Sequence, residues 1–427
     1  MNTSGDKRGD LTLLDTLSGG KKRFEPRSGG RRVLMFTCGP SVYKPQHLGN
    51  YRTFLYEDVL ERYLDFLGYA VTREINYTDV EDKAIAEMRR RGLSLEELTE
   101  PIEARFREDC RRLHIRLPDF IPRSSTSVDT AAHMTAVLMD KGNAYRHRGD
   151  IFFDPLTYPG FGQVFGLDMS KWPREKRRFR KDTYRGRRWN LGDFVLWHAA
   201  TGDDPVAWDS EVGRGRPAWN IQDAAMILKH LGPAIDIKCG GIDNLYRHHD
   251  YTRAIMESYS GREFARYWLH GEHLLVDGDK MSKSKGNVVY VSDLLDRGLS
   301  PEDIRFFLID HHYRAKRNLT DATLDRARIR HGRLLDIVAG LDEHAPETNG
   351  TDCTGELLAS FSRAMNDDLN VPAAIDTLTA QLEHFARLCR EHAESRPSRT
   401  SVMHALDQID SVLCVGLRSR VPQRIDD

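Results

Sequence analysis

The run Val33-Leu34-Met35-Phe36-Thr37-Cys38 constrains the fold most, because it is short, almost continuously apolar and closed by Gly39-Pro40. Such a run fits a strand covered on both faces, as in a parallel sheet. From Gly49 to Leu67 the residues Leu55, Val59, Tyr63, Phe66 and Leu67 fall at helical spacing, and Gly68 supplies a C-terminal stop. Val71 to Tyr77 then predicts a second strand. Strand, helix and strand in succession form a right-handed βαβ unit, and hence an α/β fold whose ligands bind beyond the carboxyl ends of parallel strands.

From about Ile85 to Asp209 the pattern is irregular and reads as an insertion that splits one domain, with a helix-like stretch near Ser127 to Lys141 and a strand-like run from Asp193 to Trp197. Apolar periodicity resumes at Trp219 to Leu231. Ile235-Asp236-Ile237-Lys238 predicts a return to the sheet, and Cys239-Gly240-Gly241 predicts a turn. Beyond Ser300-Pro301-Glu302-Asp303, where Ser300 can cap and Asp303 can reach back, the chain reads as a helical bundle to about residue 420. His344 to Asp352 interrupts it as a loop. Val402, Leu406, Ile409, Val412 and Leu413 give the last helix a stripe suited to core packing.

The 427 residues carry a formal charge of −1 and 40% hydrophobic residues, which excludes a fibrous or low-complexity chain and leaves room for several domains. Met1 to Asp10 has no apolar h-region, and no stretch approaches the roughly 18 apolar residues of a membrane helix, so a cytoplasmic protein is expected. Cys38, Cys110, Cys239, Cys353, Cys389 and Cys414 are scattered without a CxxC pair, which suits a reducing compartment. One charge imbalance is local. Basic residues from Lys171 to Arg188 interleave with Trp172, Phe179, Tyr184 and Trp189, a pattern that fits either a contact for phosphates or nucleic acid, or a solvated insertion.

Two segments carry chemistry. His47-Leu48-Gly49-Asn50 stands at the predicted helix N-terminus, where free N–H groups and the helix dipole favour phosphate and Gly49 permits close approach. Taken alone that tetrapeptide is weak. The second segment, Gly278 to Asn287 (GDKMSKSKGN), also follows a strand-like run and puts lysines on a glycine-bounded loop. Cleaving a phosphoanhydride spreads negative charge over the phosphates, and Lys280 and Lys283 are spaced to neutralise one pyrophosphate together. A specified five-residue string arises by chance in a chain this long with odds on the order of one in ten thousand.

HLGN after a first strand and KMSKS after a late one resemble the paired signatures of class I aminoacyl-tRNA synthetases. The stretches TCGPSVY, NYTDVEDKAI, DFVLWHAATGDDPVAWDS, GRGRPAWNIQDAAM, DIKCGGIDNLYRHHDY and AMNDDLNVPAAIDTL are similar, in order, to the cysteinyl-tRNA synthetase family, from about Leu11 to Leu417. The resemblance implies a Rossmann-like parallel-sheet catalytic domain over 32–115 and 209–270, an N-terminal extension over 1–31 and a connective insertion over 116–208. A KMSKS loop region over 271–300, a C-terminal α-helical bundle over 301–420 and a tail over 421–427 complete it. It also implies activation of an amino acid by ATP with Mg2+, giving aminoacyl adenylate and pyrophosphate, followed by transfer to an acceptor. His47, Asn50, Lys280 and Lys283 would be catalytic. The ATP site would be completed by Gly39, Gly49, Gly240, Gly241 and Asp243, the last accepting ribose hydroxyls. Thr78 and Trp219 would line the amino-acid pocket.

The family holds a zinc ion that binds the substrate thiolate, and here the matching positions read Cys38, Asp223, His248 and Thr252. Asn220 and Gln222 replace the usual neighbouring histidine and glutamate. Cys38, Asp223 and His248 could retain zinc with cysteine as substrate, or the metal could be lost and Asp223 could recognise a polar or cationic side chain. A third reading pairs Asp223 internally with a nearby basic group. Cys239 stands in place of a glycine and is expected to narrow the nucleotide end of the pocket. The bundle stops near Leu417, which resembles the mycothiol-pathway cysteine ligase and favours a small amine as acceptor; the alternatives are a genuine cysteine-tRNA ligase without the anticodon module, and a non-catalytic nucleotide- or RNA-binding relative. A monomer with no membrane partner is expected.

Overall fold

A computed structural model of the chain describes residues 11–171, 192–202, 204–282, 285–347, 350–391 and 394–418. Its centre is a four-stranded parallel sheet. β1 (Thr12–Asp15) and β2 (Gly20–Arg23) form an antiparallel hairpin ahead of it; then come β3 (Arg32–Thr37), α1 (Leu48–Phe66) and β4 (Ala70–Ile75), the βαβ unit expected from the apolar runs. α1 buries residues around most of its circumference, including Leu55, Val59 and Tyr63, because the sheet lies on one side and the helical bundle on the other.

The stretch that reads as irregular in sequence opens with two regular helices, α2 (Asp82–Arg91) and α3 (Leu95–Arg112). Their apolar positions are sparse among charged pairs such as Glu87 with Arg90 and Arg91, and Glu108 with Arg111 and Arg112, which dilutes the periodic signal. The usable signal was the capping box: Ser94 Oγ accepts from the Glu97 N–H while Glu97 accepts from the Ser94 N–H. α4 (Val128–Asp140) follows, and β5 (Ala144–His147), β6 (Asp150–Phe153), β7 (Phe194–Ala199) and β8 (Gly215–Pro217) make an antiparallel sheet in sequential order. Apart from the backbone of Lys171, the basic run from Lys171 to Arg188 lies outside the described residues.

α5 (Trp219–His230) returns the chain to the central sheet through β9 (Ile235–Gly241), α6 (Ile242–Asn244), a π-helical turn (Leu245–His249), α7 (Asp250–Ser260) and β10 (Ala265–Gly271). β9 runs straight through Cys239, Gly240 and Gly241, so the predicted turn is in fact the end of the strand, held in register with Leu269, His270 and Gly271 of β10. The sheet order is β10-β9-β3-β4. β11 (Leu274–Val276), β12 (Asp279–Lys280) and β13 (Arg317–Leu319) form a small sheet, separated in sequence by α8 (Val291–Asp296) and α9 (Pro301–Ile309). α10 (Asp321–His344), α11 (Thr354–Met365), α12 (Val371–Arg390) and α13 (Arg399–Leu413) complete the bundle, with the expected stripe on α13 fully buried. Ser300 caps α9 through the Asp303 N–H, as its sequence predicts.

A fully buried ion pair fastens the bundle to α1, the helix packed on the sheet. Arg305 on α9 places Nη2 2.7 Å from Asp58 Oδ2 on α1 and donates to the carbonyls of Leu413, Leu113 and His114. Burial opposes the Asp58 charge, yet Arg305 and Arg62 hold its carboxyl below the usual range. Arg305→Ala removes the fully buried partner of that carboxylate, leaving it Arg62 and the Arg116 N–H, and is expected to cost about 3 kcal/mol, read from urea unfolding. A second prediction concerns pH. Burial pushes the Glu57 carboxyl up to about 8, against the opposing charges of Arg73 and Lys238. The folded state therefore holds this proton more tightly than the unfolded chain does, and the resulting stability is lost as pH rises toward 8. Unfolding free energy should fall between about pH 5.5 and about pH 7.5 with a slope of at most about 1.4 kcal/mol per pH unit from this group, and Glu57→Gln should remove that share of the slope.

Candidate active site

In the chain, β3 is followed through α1 by β4 on one side, while β9, added much later, takes its other side. The connections diverge there, which opens a crevice at the carboxyl ends of the strands, the place where open α/β sheets bind ligands. A cleft of about 310 Å³ occupies it. Cys38 and Gly39 reach the cleft from β3, Asn76 and Thr78 from β4, Gly241 and Asp243 from β9 and α6, and His47, Gly49 and Asn50 from the start of α1. α5 presents Trp219 and Asp223 one turn apart, and the π-helical turn presents His248. Lys280 and Met281 close the rim.

At the phosphate-like end the His47 N–H donates to Asn50 Oδ1 at 3.1 Å, which fixes the first turn of α1. His47 Nδ1 is buried with no hydrogen-bond partner among the described residues, and burial together with Lys44 lowers the affinity of the ring for a proton. Gly49 is glycine for a steric reason. A Cβ there would stand 3.1 Å from Met281 Cε, so the KMSKS-like segment packs onto the HLGN corner. Gly39 is more constrained still: a Cβ would fall 1.7 Å from the Asn76 carbonyl oxygen. Lys280 Nζ lies 2.7 Å from Asp243 Oδ1, which also lies 3.1 Å from His273 Nε2. Burial opposes the Asp243 charge, but His273 and Lys280 hold the carboxyl down to about 2. Lys283 lies outside the described residues.

The other end is a buried polar cluster. Asp223 Oδ2 lies 2.8 Å from His248 Nε2, 3.2 Å from Lys238 Nζ and 3.4 Å from Cys38 Sγ, while Asp223 Oδ1 accepts from Asn76 Nδ2 at 3.1 Å. Burial opposes its charge; His248 and Lys238 nevertheless hold its carboxyl well below the usual range. Lys238 Nζ also donates to Cys38 Sγ at 3.0 Å and sits 4.0 Å above the centre of the Phe36 ring. Burial disfavours this ammonium, and Cys38 and Asp223 restore it. Burial pushes the Cys38 thiol up. Trp219, 40% exposed, stacks on the His248 ring at 4.1 Å. A relay of rings continues beneath: Cys38 Sγ to His249 Nε2 at 3.1 Å, His249 Nδ1 to His270 Nε2 at 2.7 Å, and His270 Nδ1 to Thr16 Oγ1 at 2.8 Å.

Several sequence expectations change. Asp223 is not free to meet a cationic ligand, because Lys238, His248, Asn76 and Cys38 already use its oxygens; the internal pairing is what the structure shows. Cys239 is fully buried in the core and does not line the cleft. Asn220 and Gln222 bond away from it, Asn220 to the Val195 carbonyl and Gln222 to the Val80 carbonyl and Ser124. Lys238, Asn76 and His249 were missed. Lys238 had a signal, since a lysine inside an apolar strand must find a counter-charge.

Cys38 Sγ, an Asp223 oxygen and a His248 nitrogen lie within 4.8 Å of one another, a spacing that could surround a metal ion. The donor set around them does not suit one. Thr252 Oγ1 donates to the His248 carbonyl at 3.0 Å and is no fourth ligand. Lys238 Nζ shares two of the three donors. A divalent ion about 3.5 Å from that ammonium would meet repulsion on the order of 10 kcal/mol at an effective dielectric of 20. Zinc therefore does not fit the cluster as it stands.

Among the described residues no helix is long and apolar enough to cross a membrane. Residues 24–329 match the family described as tRNA synthetases class I (C) catalytic domain. The chain is 38% identical to the cysteine–tRNA ligase of Chlamydia abortus over 97% of its own length and 88% of that relative. It is 36% identical to the cysteine–tRNA ligase of Chlamydia pneumoniae, over 95% and 86%. A solved structure of Mycobacterium tuberculosis methionyl-tRNA synthetase in complex with methionyl-adenylate superposes with a TM-score of 0.64 over 90% of this chain and 91% of that one, and at 16% identity it supports the fold alone. With the parallel sheet, its split connection and the two converging motifs in place, the chain belongs to the class I tRNA synthetases, in their cysteine–tRNA ligase-like branch.

Proposed function

We propose that the protein activates an amino acid with ATP and transfers it to tRNA, acting as a cytoplasmic, monomeric cysteine–tRNA ligase-like enzyme. One observation carries the reading: His47 and Asn50, Lys280 and the Cys38–Asp223–His248 cluster face a single cleft, although they are dispersed along the chain. A triphosphate at the α1 end and an amino acid at the cluster end would place the reacting atoms between them. The amino-acid carboxylate attacks the α-phosphorus, a P–O bond forms, and the bond to the bridging oxygen breaks as pyrophosphate leaves with the electron pair. A hydroxyl at the tRNA 3′ end then attacks the adenylate carbonyl and AMP departs.

In this scheme His47 and Asn50 position the phosphates, and Lys280 and Lys283 neutralise the departing pyrophosphate. Mg2+ enters with ATP as its counter-ion. Gly39, Gly49 and Gly241 line the nucleotide path, whereas Gly240, expected there from its sequence, is not among the residues lining the cleft and its Cβ position faces His249 and Asn244; Asp243 accepts ribose hydroxyls once Lys280 swings from it to the phosphates. Thr78, Trp219, Cys38, Asp223 and His248 surround the amino acid. The relatives named above are tRNA ligases, so the expected small-amine acceptor has no support from them and tRNA takes its place here.

ATP–pyrophosphate exchange against all standard amino acids tests the first step, and 3′ acylation of unfractionated tRNA tests the second. Exchange with cysteine followed by blank tRNA acylation would overturn the acceptor. Lys280→Ala is expected to slow exchange about 10²-fold, the scale of losing a transition-state charge contact. An unchanged rate would remove Lys280 from the mechanism.

A further inference from the structure

Building on the ligase reading, we infer that the Lys238 ammonium stands where a metal ion would serve the amino-acid pocket, so that this chain reads a small uncharged side chain by hydrogen bonding and not by coordination. Lys238 is fully buried, and its ammonium is spent within the protein on Cys38 Sγ, Asp223 Oδ2 and the face of Phe36. It is therefore a positioning residue. It gives Asp223 the positive partner that its burial demands, and it fixes the Cys38 sulfur from below.

What remains for a substrate is narrow. The Asp223 oxygens are engaged by four groups, so a cationic side chain finds no free carboxylate, and an anionic one would be set beside a negative charge. His248 Nδ1 is buried and has no hydrogen-bond partner among the described residues. Nε2 is directed at the Asp223 carboxylate, so Nδ1 is the ring nitrogen left for a substrate, held in orientation by the stacked Trp219. A thiol or hydroxyl one carbon from the α-carbon can hydrogen-bond to it. Such a pocket separates thiol from hydroxyl by size and hydrogen-bond strength alone, which limits discrimination in kcat/KM to roughly 10²-fold.

The test has three readouts. Zinc in the full-length protein as purified, and cobalt(II) titration followed by the thiolate-to-cobalt charge-transfer band, are compared between wild type and Lys238→Met, which removes the ammonium and leaves Cys38, Asp223 and His248. The expectation is little zinc and no band in wild type, and uptake of about one cobalt with a band in the variant, where three donors remain. One zinc per wild-type chain that is lost on Cys38→Ala, or a folded Lys238→Met that takes up no cobalt, overturns the inference. If Lys238→Met does not fold, wild-type exchange decides: after chelator treatment, removal of the chelator and restoration of Mg2+ alone, it should proceed unchanged, and its loss there overturns the inference. Cysteine and serine compared in that exchange should differ by roughly 10²-fold, and a ratio above about 10⁴ would contradict recognition by hydrogen bonding alone. Should no amino acid support exchange with or without metal, the ligase reading fails, while the zinc and cobalt results still judge Lys238.

Discussion

Asp223 carries a negative charge at the buried floor of the cleft, and Lys238 is what makes that charge tolerable. Transfer of a lone carboxylate into such a place costs far more than a folded protein has to spare, so the pair must form together or not at all. The pair in turn orders its surroundings. Cys38 takes its place against Lys238, His248 against Asp223, and Asn76 ties Asp223 to the backbone of Gly39 through a single amide that donates with one end and accepts with the other. The floor of the pocket is thus set by electrostatic necessity before any substrate arrives.

The sheet supplies the geometry that this network needs. β3, β4 and β9 all end at one edge because they are parallel, and their C-terminal residues deliver a thiol, an amide and glycines into one small volume. The histidine relay then joins the pocket to the N-terminal hairpin, whose Thr16 N–H also donates to the Trp268 carbonyl on β10. The same hairpin reaches the bundle through the Thr12 N–H on Asn366 and the Leu14 N–H on Asp368. Sheet, hairpin and bundle consequently hold the cleft from three sides.

At the opposite end the two motif segments meet by packing, and the counter-charge of Lys280 comes from outside both. Lys280 rests on Asp243, and Met281 rests on the bare backbone of Gly49. The Lys280–Asp243 pair is at the rim, where both side chains are about half exposed and exchange costs little, in contrast to the sealed pair at the floor. A cleft with a rigid floor and an adjustable rim suits a reaction whose largest change in charge occurs on the phosphates.

Sequence alone determined a good deal. The apolar run from Val33 to Cys38 and the helical spacing after Gly49 specify the βαβ unit, and the HLGN and KMSKS-like segments mark residues that the fold does bring to one cleft. These are local patterns, and backbone conformation follows local patterns. Only the tertiary structure decided that Asp223 answers to Lys238. β9 is buried on both faces, so alternation along it could not show where Lys238 points, or that Cys239 packs in the core while Gly241 lines the cleft. Which cation neutralises which carboxylate depends on distances between strand and helix that no short stretch encodes, since Coulomb energy is a property of separation in space and not of spacing along a chain.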